Sequence, residues 1–170
     1  PGGPRNILYG GPPSDGSDGD WLYVLDAAGA RPRRIDHGLR ASYSPVFSPT
    51  GDMVAWRGCT VSPCDYGIFL AKLPADPNAR PGKPRRIGKV SAQKPPVWTE
   101  DGTALLVVGR RDDGPREHRR SCLHRLAIAQ GEPNRVLACT DGSDPGFSQD
   151  PEGKTGVLCG SFGVAGQHTR

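Results

Sequence analysis

The sequence predicts an all-β chain, and three observations carry the prediction. A Pro-x-aromatic-Ser/Thr segment that closes on a Gly turn recurs about every 50 residues, within the range of propeller blades. Short runs of Val, Ile, Leu and aromatic residues, bounded by Gly, Pro, Asp and Asn, lie between its copies and read as antiparallel strands joined by hairpins. No long stretch keeps the 3.6-residue spacing of an amphipathic helix. The nearest candidate, residues 123–130, sits between Pro115 and Pro133 at a strand position of the repeat.

The copies are Ser44-Pro45-Val46-Phe47-Ser48-Pro49-Thr50-Gly51, Pro95-Pro96-Val97-Trp98-Thr99-Glu100-Asp101-Gly102 and the longer Asp144-Pro145-Gly146-Phe147-Ser148-Gln149-Asp150-Pro151-Glu152-Gly153. Pro45 to Pro96 is 51 residues and Pro96 to Pro145 is 49. Each Pro marks a strand start, where a missing N–H costs least. Phe47, Trp98 and Phe147 then fall at positions that pack between neighbouring units, each burying about 150–250 Å². Gly51, Gly102 and Gly153 supply the positive φ of a tight hairpin.

After each turn comes an apolar run (53–56, 104–108, 157–159), then a loop and a second run (21–26, 66–73, 122–128). A third echo ends the unit: Pro32-Arg33-Arg34-Ile35, Pro84-Arg85-Arg86-Ile87 and Pro133-Asn134-Arg135-Val136-Leu137. Four strands per unit are therefore expected. The fold class is β-propeller blades of four-stranded antiparallel sheets, with residues 1–40 a partial blade of three strands, 41–90 and 91–140 complete blades, and 141–170 a partial blade of two strands. A closed ring takes about 4 to 8 such blades. The chain thus predicts one propeller segment, an incomplete or open ring.

Composition is consistent with this assignment. Gly (24) and Pro (18) make up about a quarter of the 170 residues, a level that without a period signals disorder. With the period, much of that content falls at strand starts and turns. Residues 74–84 and 110–120 stay outside it and are the segments where disorder or variable function is expected. No apolar run approaches the ~18 residues of a membrane-spanning helix. The formal charge of +4 is too small to predict a nucleic-acid partner, and the arginines at 31–34, 85–86 and 110–120 read as solvated loops without interleaved aromatics.

Five cysteines, none in a CxxC or zinc-finger spacing, point to cystine and an oxidising compartment. Cys59 and Cys64 flank a short loop between strands. Cys122 opens a third strand and Cys139 follows the fourth, so antiparallel pairing places them side by side. Cys159 is left over, either buried or free. The chain begins Pro1-Gly2-Gly3-Pro4, which reads as a mature exported product or a fragment.

Chemical motifs are sparse. The loops 15–20 and 141–144 are acidic but depart from a calcium-binding spacing. His37, His118, His124 and His168 form neither an i, i+4 pair nor a zinc motif, so no metal and no cofactor are predicted. Gly160-Ser161-Phe162-Gly163 only approaches a nucleophile elbow, and no catalytic residue is assigned. The expectation is a non-enzyme.

The Pro-x-aromatic-Ser-Pro-x-Gly pattern at 44–51 with the strand that follows it, and the run 21–35, resemble the repeat of TolB-type β-propellers, about three blades of it across nearly the whole chain. The resemblance implies a periplasmic, cell-surface or secreted scaffold that binds protein partners. Two other functions are weighed: the substrate-gating propeller of a larger prolyl-oligopeptidase-like hydrolase, and an open propeller that assembles with further copies of itself through unpaired strand edges.

Overall fold

The computed structural model describes residues 5–10, 21–26, 32–76, 79–111, 121–140, 146–149, 156–159 and 162–163. Every regular element among them is a strand. The first sheet (A) is a meander of β1 (Arg5–Gly10), β2 (Trp21–Asp26) and β3 (Arg33–Arg34). The second (B) runs β4 (Ala41–Phe47), β5 (Met53–Cys59), β6 (Gly67–Lys72), β7 (Arg85–Ile87), each antiparallel to the next.

In the third sheet (C), β8 (Val90–Ala92) and β9 (Val97–Trp98) both pair with β10 (Ala104–Arg111), which continues to β11 (Cys122–Ala127) and β12 (Arg135–Thr140). A short β15 (Phe162–Gly163) pairs with the outer edge of β12, while β13 (Gly146–Gln149) and β14 (Gly156–Cys159) form a separate hairpin.

Among the described residues two strands exceed the expected number, and the division of one strand accounts for the first. The first strand of each full unit is bulged. Tyr43 faces Arg57 but Val46 faces Ala55, so one extra residue is accommodated at Ser44, whose φ of 54° lies in the left-handed region. In the next unit Ala92 faces Gly109 and Val97 faces Leu106, and Gln93 to Pro96 span the gap. Adjacent prolines 95 and 96 provide no N–H for the ladder, and the strand divides into β8 and β9. The remaining strand, β15, lies on sheet C rather than beside β14.

Period-2 alternation lets sheet B bury both faces. Val54, Trp56, Phe69 and Ala71 meet Leu22, Val24 and Ile35 of sheet A and the adjoining Leu39 in one cluster. The alternate residues Ala55, Ile68 and Leu70 meet Val90, Trp98, Leu105, Val107 and Leu126 of sheet C in another. Trp56, wholly buried, stacks on Phe69 at 6.3 Å between ring centroids. Each fully buried aliphatic side chain here contributes about 1.5–3 kcal/mol of transfer free energy. The three sheets thus pack face to face in chain order.

The two described copies of the hairpin turn share one bonding pattern. Ser48 N–H donates to Met53 O and Gly51 N–H to Ser48 O, both at 2.9 Å; Thr99 N–H donates to Ala104 O at 3.0 Å and Gly102 N–H to Thr99 O at 2.9 Å. Gly51 and Gly102 sit at φ 71° and 66°, where a side chain would strain the backbone. Gly153 lies outside the described residues.

Candidate functional site

The connection that follows the second strand of sheet B, 60–66, lies at one end of the stack. The corresponding connections 11–20 and 112–120 lie outside the described residues, as do the acidic segments 15–20 and 141–144, His118 and His168. Both disulfides are at this same end. Cys59 bonds Cys64 across the 60–63 loop, and Cys122 bonds Cys139, its directly opposed residue in the β11–β12 pair. Cys139 lies within the fourth strand rather than after it. Cys159 is in β14, and only its backbone is described.

The inter-sheet aromatics occupy equivalent places. Phe47 packs against the A–B cluster, facing the preceding sheet. Trp98 is buried in the B–C cluster, likewise toward the preceding sheet, and its indole N–H donates to Val46 O at 3.1 Å. Phe147 lies in β13, with only its backbone described.

The arginines expected in solvated loops instead work at the seams. Arg33 and Arg85 are strand residues; Arg33 Nη1 donates to Ala79 O and Arg85 Nη2 to Ile128 O, each bridging to the unit that follows. A planar guanidinium on a long stem can span a seam and satisfy loop carbonyls that no ladder reaches. The bond to Ala79, with those of Gly82 N–H to Lys72 O and Ala79 N–H to Asp76 O, also gives the described part of residues 74–84 an ordered course where disorder is expected from composition. Arg110 and Arg111 extend β10.

At the loop end of the B–C seam stands a group that the sequence reading did not single out. Arg57, directly opposite Tyr43, points toward sheet C and donates from Nη1 to Gln93 O at 2.9 Å. Its guanidinium carbon lies 4.7 Å from the Tyr66 ring centroid and 6.0 Å from that of Tyr43, and the two rings meet edge to face at 5.8 Å. All three side chains are half-buried.

Arg57 Nε is buried with no hydrogen-bond partner, and the neighbouring Asp65 pairs with Arg86 (3.4 Å) instead. The signal for this group is its departure from the repeat. Counting from the turn glycines, Arg57 corresponds to Val108, and Gly58 corresponds to Gly109.

The pairings of those glycines align Tyr66 with Ser121, and Tyr43 aligns with Gln93, whose N–H donates to Val108 O. In sheet C the Ser121 hydroxyl donates to Gln93 Oε1 at 2.7 Å, a hydrogen bond where sheet B has the Tyr43–Tyr66 contact.

A separate cleft of about 470 Å³ opens on the B-facing side of sheet C, lined by Gly88, Lys89, His124, Leu126, Asn134 and Arg135 among others. His124 is buried, with Nε2 3.2 Å from Gly109 O. Of the other histidine in a described segment, His37, the structure gives an exposed turn position. Among the described residues no group of three His, Cys, Asp or Glu side chains is placed to hold a metal ion, and no helix is long and apolar enough to cross a membrane.

No protein-family model matches the chain, and no curated protein matches it either. The TolB-type resemblance therefore rests on the residues quoted for it.

Proposed function

We propose that this chain is part of an extracytoplasmic β-propeller, a non-catalytic scaffold that binds a protein partner through its loop-bearing end. The observation that carries the reading is the contrast between the two ends of the stack. Turns at one end repeat bond for bond, as a structural role requires. Positions at the other diverge, around two disulfides and the exposed Val61, 65% accessible at the tip of the 60–63 loop. Binding residues concentrate on loops held by a rigid scaffold, and disulfides persist in oxidising compartments.

Site-specific photo-crosslinking tests the reading. A crosslinker at position 61 is expected to give one recurrent protein adduct in the native compartment, and one at position 100, in the turn at the opposite end, none. Absence of a recurrent adduct at position 61 would count against it.

Self-assembly is a second reading, favoured by one observation: among the described residues β1 pairs with β2 alone, an edge that another strand could extend. Sedimentation that finds only monomer at high concentration would remove it.

A further inference from the structure

We infer that Arg57, set beside the Tyr43–Tyr66 pair, is a carboxylate-binding site at the loop end of the B–C seam. The inference rests on the scaffold reading and names the chemistry its partner presents. Four features of the group lead to it.

The first is an unbalanced charge. No ion pair of Arg57 is found among the described residues, and its one described hydrogen bond goes to a neutral carbonyl, Gln93 O. The second is the buried Nε without a partner, which leaves part of the guanidinium's donor capacity unused at a desolvation cost. With Nη1 committed to Gln93 O and Nε buried, Nη2 is the guanidinium nitrogen left to donate to an oxygen of a bound anion.

The third feature is the tyrosine pair. The rings lie on one side of the guanidinium, its carbon 4.7 and 6.0 Å from their centroids, and with the bond to Gln93 O they restrict the side chain before a ligand binds. The Cys59–Cys64 bridge closes the loop that leads directly into Asp65 and Tyr66, anchoring one wall.

The fourth is the comparison within the chain. At the same three positions the next unit carries Gln93, Val108 and Ser121, uncharged residues of which Ser121 donates a hydrogen bond to Gln93. The fold therefore does not require a cation there. A single monovalent cation fits a carboxylate better than a phosphate dianion, which demands more donors. The carboxylate is either an acidic side chain or a chain terminus.

Calorimetric titration of the full chain at low salt separates these sources with three probes: acetyl-Gly-Ser-Glu-Ser-Gly-amide, its Gln counterpart as the amide, and the Gln peptide with a free C-terminal carboxylate. At least one carboxylate peptide is expected to bind about tenfold more tightly than the neutral one, to weaken with added salt, and to lose its advantage in Arg57→Gln. The Arg57 side-chain N–H resonance is expected to shift with the same titration in the unmodified protein, a readout that holds even if the variant folds poorly.

Equal binding of all three peptides, a preference that survives Arg57→Gln, or an unmoved Arg57 resonance overturns the site. A position-61 adduct in the unmodified protein together with no carboxylate preference removes this site and leaves the scaffold reading standing; absence of that adduct in the unmodified protein counts against the scaffold reading itself.

Discussion

Arg85 Nη2 donates to the carbonyl oxygen of Ile128 at 2.6 Å, reaching from the last strand of sheet B to the chain just beyond the third strand of sheet C. Arg33 makes the equivalent bond to Ala79 one unit earlier. Neighbouring sheets are thus joined at their outer strands by a charged donor as well as through the apolar cores. Replacing Arg85 with Ala is expected to cost about 1–2 kcal/mol, the worth of a part-buried hydrogen bond from a charged group. The urea midpoint checks this, with an unchanged m-value expected.

Trp98 contributes at the same seam in two ways that substitution can separate. Trp98→Phe keeps a ring in the B–C cluster but loses the bond to Val46 O, and is expected to cost about 1 kcal/mol. Trp98→Ala also leaves a cavity and is expected to cost about 3–5 kcal/mol. Equal effects of the two on thermal unfolding would contradict the assignment of the ring to the core.

Gly109 is required by close approach rather than by its backbone angle. A Cβ there would lie 2.5 Å from both Ser91 O and Val90 Cγ1, on the strand β8 that pairs with it. Gly109→Ala is therefore expected to cost about 1–3 kcal/mol through overpacking and to speed amide exchange in β8. Unchanged protection of Val90 to Ala92 would contradict it.

The Asp101 carboxyl is held at about 2, below its ordinary 3.8, first by the Thr99 hydroxyl and then by the Thr103 N–H and hydroxyl. A lowered folded-state value stabilises the fold above the unfolded value, and the contribution is lost as pH falls from about 3.8 through about 2. Asp101→Asn is expected to flatten the stability profile across that window and leave its slope near neutral pH unchanged. Denaturation series at pH 2 to 5 measure this. Asp52, lowered by the Thr50 hydroxyl at the equivalent turn, adds to the same acid limb.

The two disulfides close loops of different length, with sequence separations of 17 for Cys122–Cys139 and 5 for Cys59–Cys64. On the chain-entropy account, replacing the first pair with Ser costs about 3 kcal/mol and the second about 2 kcal/mol. The expected order of thermal midpoints is intact chain, then the 59/64 variant, then the 122/139 variant. A reversed order would show that the short bridge stabilises by means other than loop entropy.

The sequence alone determined the all-β class, the strand runs and the turn glycines, because these are local: Gly51 and Gly102 answer to φ, and alternation answers to the pleat. It also brought Cys122 opposite Cys139, since an antiparallel pair follows from two strands and their connecting turn. Tertiary structure alone decided what the arginines do. Arg33, Arg85 and Arg57 all carry a charge to a backbone carbonyl across a seam, yet only Arg57 also lies against two tyrosines. Which carbonyl or ring a long flexible side chain meets depends on the sheet packed against it, and no local propensity encodes that. The division of one strand into β8 and β9 is intermediate: Pro95-Pro96 is legible as a break, but only pairing to a common partner, β10, shows that the two pieces continue a single edge of the sheet.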